Sequence, residues 1–268
     1  MQFLNSLFLL TFLTNSCLIS PVWALSEPSS PTQTAKATAV ATSDYQEYKS
    51  SKYASPKWNE TVKSGMEAFH AEDYEVAYNL LYKAFNAGCE SPLVLFMLAL
   101  INEYKETWYS SLEFYKMAEK GFQRSHRNHR FAKTFTENYG RALYYSGKKQ
   151  EALPLLQKAA KRSKSYWLLK LMGMISYERG DSNNALSYFE RAVRVPSSDV
   201  TQEELVVVYS LLGKLFLHQG QKDGALRYYQ KVLELEPNHP EARQYINAIN
   251  KQYQNQQLQN MMEEMLDE

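Results

Sequence analysis

Residues 206–239 read VVVYSLLGKLFLHQGQKDGALRYYQKVLELEPNH. Two apolar blocks, each recurring every three to four positions, flank the turn Gln219-Gly220-Gln221, which is the pattern of two amphipathic helices joined by a tight connection. Gly213 stands twelve residues before Ala225, Val232 follows Ala225 by seven, and Tyr229 lies between them. The same spacing runs back through the chain. Gly65, Ala99, Gly140 and Gly173 each precede a second small residue by twelve, namely Ala77, Ser111, Ala152 and Ala185. Seven positions further on come Ala84, Ala118, Ala159 and Ala192, with Leu81, Tyr115, Leu156 and Phe189 in between. Self-similarity at this period predicts stacked helix pairs, none able to bury its apolar face alone.

Aligned on the small residues, the units fall at about 58–91, 92–125, 133–165, 166–199 and 206–239. A helical cap follows over 240–265, with Tyr245, Ile246, Ile249, Tyr253, Leu258, Met261 and Met265 at helical spacing. Turns are expected at Ala71-Glu72-Asp73, Ser146-Gly147-Lys148, Arg179-Gly180-Asp181 and Gln219-Gly220-Gln221. The small residues are expected to let paired backbones approach, Gly173 from the first helix and Ala185 from the second. Pro154 falls inside the second helix of the third unit, where the missing hydrogen bond costs roughly 3 kcal/mol, so a late helix start or a kink is expected there.

This pattern resembles the tetratricopeptide-repeat family, whose unit is a helix-turn-helix of about 34 residues. In the last unit Tyr209, Leu212, Gly213, Phe216, Gly220, Ala225, Tyr229, Val232 and Pro237 occupy the family's signature spacing. The second unit departs most, with Ala99 and Ser111 as the small pair and Asn102 where an aromatic is usual. The resemblance implies an all-α fold, a right-handed α-solenoid of about five repeats with a C-terminal capping helix. It also implies a concave groove lined by the first helix of each unit and open to a protein or peptide segment. Carried over by position, that lining is Val62, Met66, Phe69 and His70; Phe96, Leu100, Glu103 and Tyr104; Glu137, Arg141, Tyr144 and Tyr145; Trp167, Lys170, Met174 and Tyr177; Ser210, Lys214, Leu217 and His218. Aromatic and Arg side chains dominate binding energy at interfaces. The candidate partner-binding residues are therefore Met66, Phe69, Phe96, Leu100, Tyr104, Arg141, Tyr144, Tyr145, Trp167, Lys170, Tyr177 and Lys214. Family members that hold a C-terminal carboxylate use Lys and Asn on successive first helices. Here Val62, Met66 and Met97 stand in those places, so that ligand is not expected.

Composition narrows the function further. The formal net charge is +1, and residues 252–268 hold four acids and no Lys or Arg, leaving the rest of the chain at +5. That is far from the footprint of a nucleic-acid binder, which neutralises several phosphates. No nucleophile elbow, P-loop, dinucleotide fingerprint or HExxH motif occurs, so neither an enzyme nor a cofactor is expected. His126 and His129, without an adjacent Cys or carboxylate, are too few ligands for a structural metal. Cys17 and Cys89 are the two cysteines, and Cys89 reads as a small buried hydrophobe.

Residues 1–24 carry no charged side chain and include the short apolar block from Phe3 to Leu13, followed by Val22-Trp23-Ala24. This resembles a secretory signal peptide cleaved after Ala24, being shorter and more interrupted than the roughly 20 apolar residues of a spanning helix. The chain is then periplasmic or in the cell envelope. The alternatives are an anchor through an uncleaved leader, lipidation at Cys17, or secretion. Residues 25–56 shift to Ser, Thr, Pro, Ala and Gln and read as a flexible tether, in which Tyr45, Tyr48 and Tyr53 are either scattered or a recognition patch. Asn59-Glu60-Thr61 matches a glycosylation sequon.

A basic run from Lys120 to Lys133 separates the second and third units. Spacing of three is expected to put Arg124, Arg127 and Arg130 on one helical side, either as a solvated helix extension or as a patch for anionic lipid or polymer. The Met261-Met262-Met265-Leu266 tail is a candidate for self-association. The reading is a non-catalytic protein-protein interaction scaffold of the periplasm or cell envelope. The alternatives are an accessory subunit of an envelope assembly or transport machine, and a peripheral membrane or cell-wall polymer binder acting through residues 120–133.

Overall fold

The computed structural model describes residues 31–124, 126, 128–162, 164–196 and 200–266, which form twelve α-helices; no strand occurs among the described residues. The leader expected at residues 1–24 lies outside them, as does Arg127. The chain divides into two compact units, one up to Ala118 and the other from Glu119.

The first unit holds α1 (Pro31–Lys49), α2 (Asn59–His70), α3 (Tyr74–Asn86), α4 (Pro92–Tyr104) and most of α5 (Trp108–Arg124). Helix α4 is apolar on almost every side and buried accordingly, with Leu93 to Ala99 and Ile101 all inaccessible. Its two polar exceptions are satisfied locally. The Asn102 side-chain amide donates to the Leu98 carbonyl at 2.8 Å, and Tyr115 donates to the Glu103 carboxylate at 2.6 Å. Cys89, between α3 and α4, is fully buried, and burial pushes its thiol pKa up.

The second unit holds the end of α5 and α6 (Arg130–Tyr145), α7 (Lys149–Ala160), α8 (Tyr166–Glu178), α9 (Ser182–Ala192), α10 (Gln202–His218), α11 (Lys222–Leu235) and α12 (Pro240–Leu266). Successive helices pair as α6 with α7, α8 with α9 and α10 with α11, and α12 closes against α11. One continuous core runs from Tyr166 and Leu169 through Phe189, Leu212 and Tyr229 to Ala242 and Ile249.

The small residues act differently from the expectation. A methyl group at Gly173 would lie 2.5 Å from Phe189 Cε1, and one at Gly213 would lie 2.7 Å from Tyr229 Cζ. Gly65 stands in the same relation to Leu81 and Gly140 to Leu156. Each glycine thus makes room for the large side chain at the middle of the second helix, and no backbone is its nearest neighbour. Leu81, Leu156, Phe189 and Tyr229 are consequently inaccessible, each adding about 1.5–3 kcal/mol of burial.

Turns and caps follow from the same residues. Gly180 and Gly220 both adopt φ of +74°, the left-handed conformation that ends α8 and α10. The corresponding turn after α4 holds the exposed Glu106 at φ +55°, a conformation that costs a residue with a Cβ roughly 1–2 kcal/mol. Asp73, Asp181 and Thr201 cap α3, α9 and α10 through their side chains.

Three expectations are corrected. Residues 31–49 of the supposed tether are the helix α1, with Ala41, Asp44, Tyr45 and Tyr48 buried against its neighbours. Alternating alanines favour the helix, and two tyrosines replace the aliphatic anchors whose scarcity suggested disorder. Helix α7 begins at Lys149 and continues through Pro154, so of the two outcomes expected there the late start does not occur. The carbonyl that Pro154 leaves without a donor belongs to Gln150, an exposed first-turn residue that water can serve. Finally, Arg124 and Arg130 do not share a helical side, because α5 ends at the first and α6 begins at the second.

Two substitutions check this account in urea unfolding. Gly173→Ala is expected to destabilise the chain by about 1–3 kcal/mol through collision with Phe189, despite the ~1 kcal/mol that Ala gains in helix propensity. Glu106→Gly is expected to stabilise it by about 1 kcal/mol.

Candidate partner-binding face

In the first unit, the expected lining residues are partly enclosed. Met66 and Phe96 are fully buried and cannot line an open surface. Phe96 packs edge-on against Tyr115 at 5.7 Å, and Met66 lies on the helix that α1 covers. Phe69 and Leu100 are half-buried, Phe69 sitting edge-on to His70 at 5.2 Å and to Tyr74 at 5.8 Å. Tyr104 is exposed and tilts against Tyr74 at 4.8 Å.

In the second unit, the cations expected to meet a partner are already engaged. Lys170 is only 7% exposed; its ammonium donates to the Glu204 carboxylate and lies 5.0 Å from the Trp167 ring. Lys214 pairs with Glu241 at 2.8 Å. Arg141 is half-buried beside Glu137, whose carboxyl pKa is pushed up by burial and held back by Arg141 and a hydrogen bond to Ser165. The two lysine pairs join successive helices of the stack, α8 to α10 and α10 to the capping α12, whereas Glu137 and Arg141 both lie on α6. The charges therefore neutralise one another within the repeat stack.

Aromatic surface remains. Tyr144 and Tyr145 meet edge to face at 5.0 Å at the end of α6, both half-buried. Lys149 lies 5.3 Å from the Tyr144 ring and pairs with Glu178 at 2.6 Å, which ties the start of α7 to the end of α8. Burial, with Glu178 nearby, pushes the Tyr144 phenol pKa up. Along one side of α8 the spacing sets Trp167, Lys170, Met174 and Tyr177, of which Tyr177 is exposed. The Trp167 indole N–H and the Ser210 hydroxyl are buried without a hydrogen-bond partner. Unsatisfied buried donors of this kind cost about 1–3 kcal/mol each, which a ligand acceptor or water can recover.

Sequence reasoning missed Glu204, Glu241, Lys149 and Glu178. No periodic signal marks Glu204: it follows Lys170 by 34 residues, whereas corresponding positions in these two units, such as Gly173 and Gly213, are 40 apart, so only the stacking of α10 on α8 brings the two together. Of the basic patch, Arg124 ends α5, Arg130 begins α6 and Arg127 lies outside the described residues. Arg124 and Arg130 are exposed, Arg130 stacked 4.2 Å over the Phe131 ring. His126 and His129 between them are buried; His129 caps α6, and burial, reinforced by His129, lowers the His126 pKa. Among the described residues no three His, Cys, Asp or Glu side chains are placed to hold a metal, and no helix is long and apolar enough to cross a membrane.

Stacked helix hairpins, each closed by a glycine contact between its two helices and carrying aromatic side chains on its first helix, define a repeat scaffold of the protein-protein interaction kind. The family description "Tetratricopeptide repeat" matches residues 206–239, and a second one of the same description matches residues 138–201; these parts of the chain are tetratricopeptide repeats. The TPR repeat-containing protein MJ1428 of Methanocaldococcus jannaschii is 32% identical over 99 residues, covering 37% of this chain and 16% of that protein. This chain thus matches only a small part of its curated relative. Among solved structures, YrrB, described as a TPR protein with an unusual peptide-binding site, superposes with a TM-score of 0.54 at 16% identity, covering 77% of this chain and 97% of its own. MamA from Desulfovibrio magneticus RS-1 gives 0.53 at 16% identity, covering 69% and 98%. At such identities the likeness concerns the fold. Proteins of this fold are generally non-catalytic interaction scaffolds.

The internal pairing of the cations is testable by unfolding. Glu204→Ala leaves the Lys170 ammonium buried alone and is expected to cost about 2–4 kcal/mol, whereas Lys170→Met with Glu204→Leu recovers most of that loss.

Proposed function

We propose that the chain is an exported, non-catalytic scaffold of the periplasm or cell envelope that binds a protein segment on the first-helix face of its second unit. The observation that carries this reading is the contrast on that face between neutralised lysines and accessible aromatics. Lys170 and Lys214 are paired with Glu204 and Glu241, while Tyr144, Tyr145, Trp167 and Tyr177 retain accessible surface. Such a strip suits an uncharged segment with apolar or aromatic anchors, bound chiefly by contact area. Export rests on the leader-like residues 1–24, and the non-catalytic part of the reading rests on the repeat fold, whose members are generally interaction scaffolds.

Affinity capture from the native envelope extract, washed at high salt, tests the binding claim. Tyr145→Ala with Tyr177→Ala is expected to lower partner recovery at least tenfold while leaving the helical circular dichroism unchanged; equal recovery would remove the face from consideration. N-terminal sequencing of the chain purified from its source is expected to begin at Leu25, and a start at Met1 would contradict cleavage.

A further inference from the structure

Helix α1 does not belong to the repeat pattern, yet it is docked. The twelve-residue spacing of small residues begins only at Gly65, and Gly65 is turned towards Leu81 of α3, away from any role in receiving α1. What α1 brings to α2 is one stripe: Ala41, Asp44, Tyr45 and Tyr48, at positions i, i+3, i+4 and i+7, are all buried, while Lys36, Thr42, Ser43 and Gln46 are exposed. That is the anchor pattern of an amphipathic helix laid on a receiving surface.

The receiving surface is the first-helix face of the first repeat. His70 Nε2 meets Asp44 Oδ2 at 2.8 Å, and Tyr48 donates to Asn59 Oδ1 at 2.9 Å. Val62 and Met66, between these two points on α2, are fully buried. Position by position, Val62, Met66 and His70 are the residues of this repeat that correspond to Lys170 and Met174 in α8 and to Ser210, Lys214 and His218 in α10. Asp44 gives the contact its specificity, because a carboxylate that is 1% exposed is tolerated only where a partner such as His70 meets it.

We infer that α1 is a resident ligand: the first repeat's face binds an amphipathic helix that offers a carboxylate to His70 between apolar and tyrosine anchors, and α1 holds that place until such a helix displaces it. The inference rests on the reading that first-helix faces are the binding surfaces of this chain. The short connection from Ser50 to Trp58 keeps α1 at high effective concentration, so a modest intrinsic affinity suffices to hold it. A competing helix meets a site whose apparent affinity is reduced by the fraction of time that α1 is bound.

The probe is a fluorescein-labelled peptide of residues 31–50, titrated by anisotropy into the mature chain and into the same chain carrying Asp44→Ala and Tyr48→Ala. Hydrogen exchange of the α1 amides confirms release in the variant. The peptide is expected to bind the variant at least tenfold more tightly than the wild type, and a peptide carrying the same two substitutions is expected to bind neither. Release of α1 with no peptide binding, or equal binding to both chains, would overturn the inference. So would loss of exchange protection throughout α2 to α5 in the variant, which would make α1 part of the core. Asp44→Asn alone, a milder change, is expected to give an intermediate affinity. None of these readouts involves the second unit, so their failure leaves the capture experiment there as an independent test.

Discussion

The second unit depends on the fit of a large side chain over a glycine. Phe189 over Gly173 and Tyr229 over Gly213 leave no room for a methyl group, and the same relation recurs at Leu156 over Gly140. This contact fixes how far apart the two helices of a hairpin lie and at which residue they cross. The next hairpin then packs on a surface of defined height. Everything later in the chain of causes, including which side chains face outward from the first helices, follows from that spacing.

Because the hairpins are held by apolar fit, the charged residues of the first helices are free to join one repeat to the next. Lys170 to Glu204 and Lys214 to Glu241 do this along α8, α10 and α12. A lysine buried beside a carboxylate contributes little net stability, but it penalises any register in which the partner is missing. The outcome is a face whose electrostatics are settled internally and whose accessible chemistry is aromatic. The first unit shows a related face with a helix lying on it, in which Asp44 meets His70 and Tyr48 meets Asn59.

The repeat architecture was legible in the sequence because its determinants are local and periodic: Gly213, Ala225, Tyr229 and Val232 carry the spacing whatever surrounds them. The turn after α4 was not, since Glu106, like Glu72 in the first unit, stands where the later units place Gly147, Gly180 and Gly220 and gives no signal of a left-handed residue. Lys170 and Lys214 were correctly placed on first helices, but their engagement was invisible, because Glu204 and Glu241 are brought to them only by stacking. Met66 and Phe96 were read as lining an open groove, yet both are fully buried, Met66 on the helix that α1 covers and Phe96 against Tyr115. Helix α1 was missed for a compositional reason. Its anchors are two tyrosines, an alanine and an aspartate, and an Ala-, Thr- and Ser-rich stretch acquires order only when those four meet a preformed surface. The basic run failed as one helical side because the loop holding His126 and His129 interrupts it.

The central claim is that a protein segment lies against the aromatic first-helix face of the second unit. It is tested most directly by placing a photo-crosslinking amino acid at Tyr177, or separately at the exposed Ser187 on α9, in the chain expressed in its own host. The account predicts a discrete protein adduct from position 177 and none from position 187. Adducts from Ser187 alone, or equally from both positions, would contradict it.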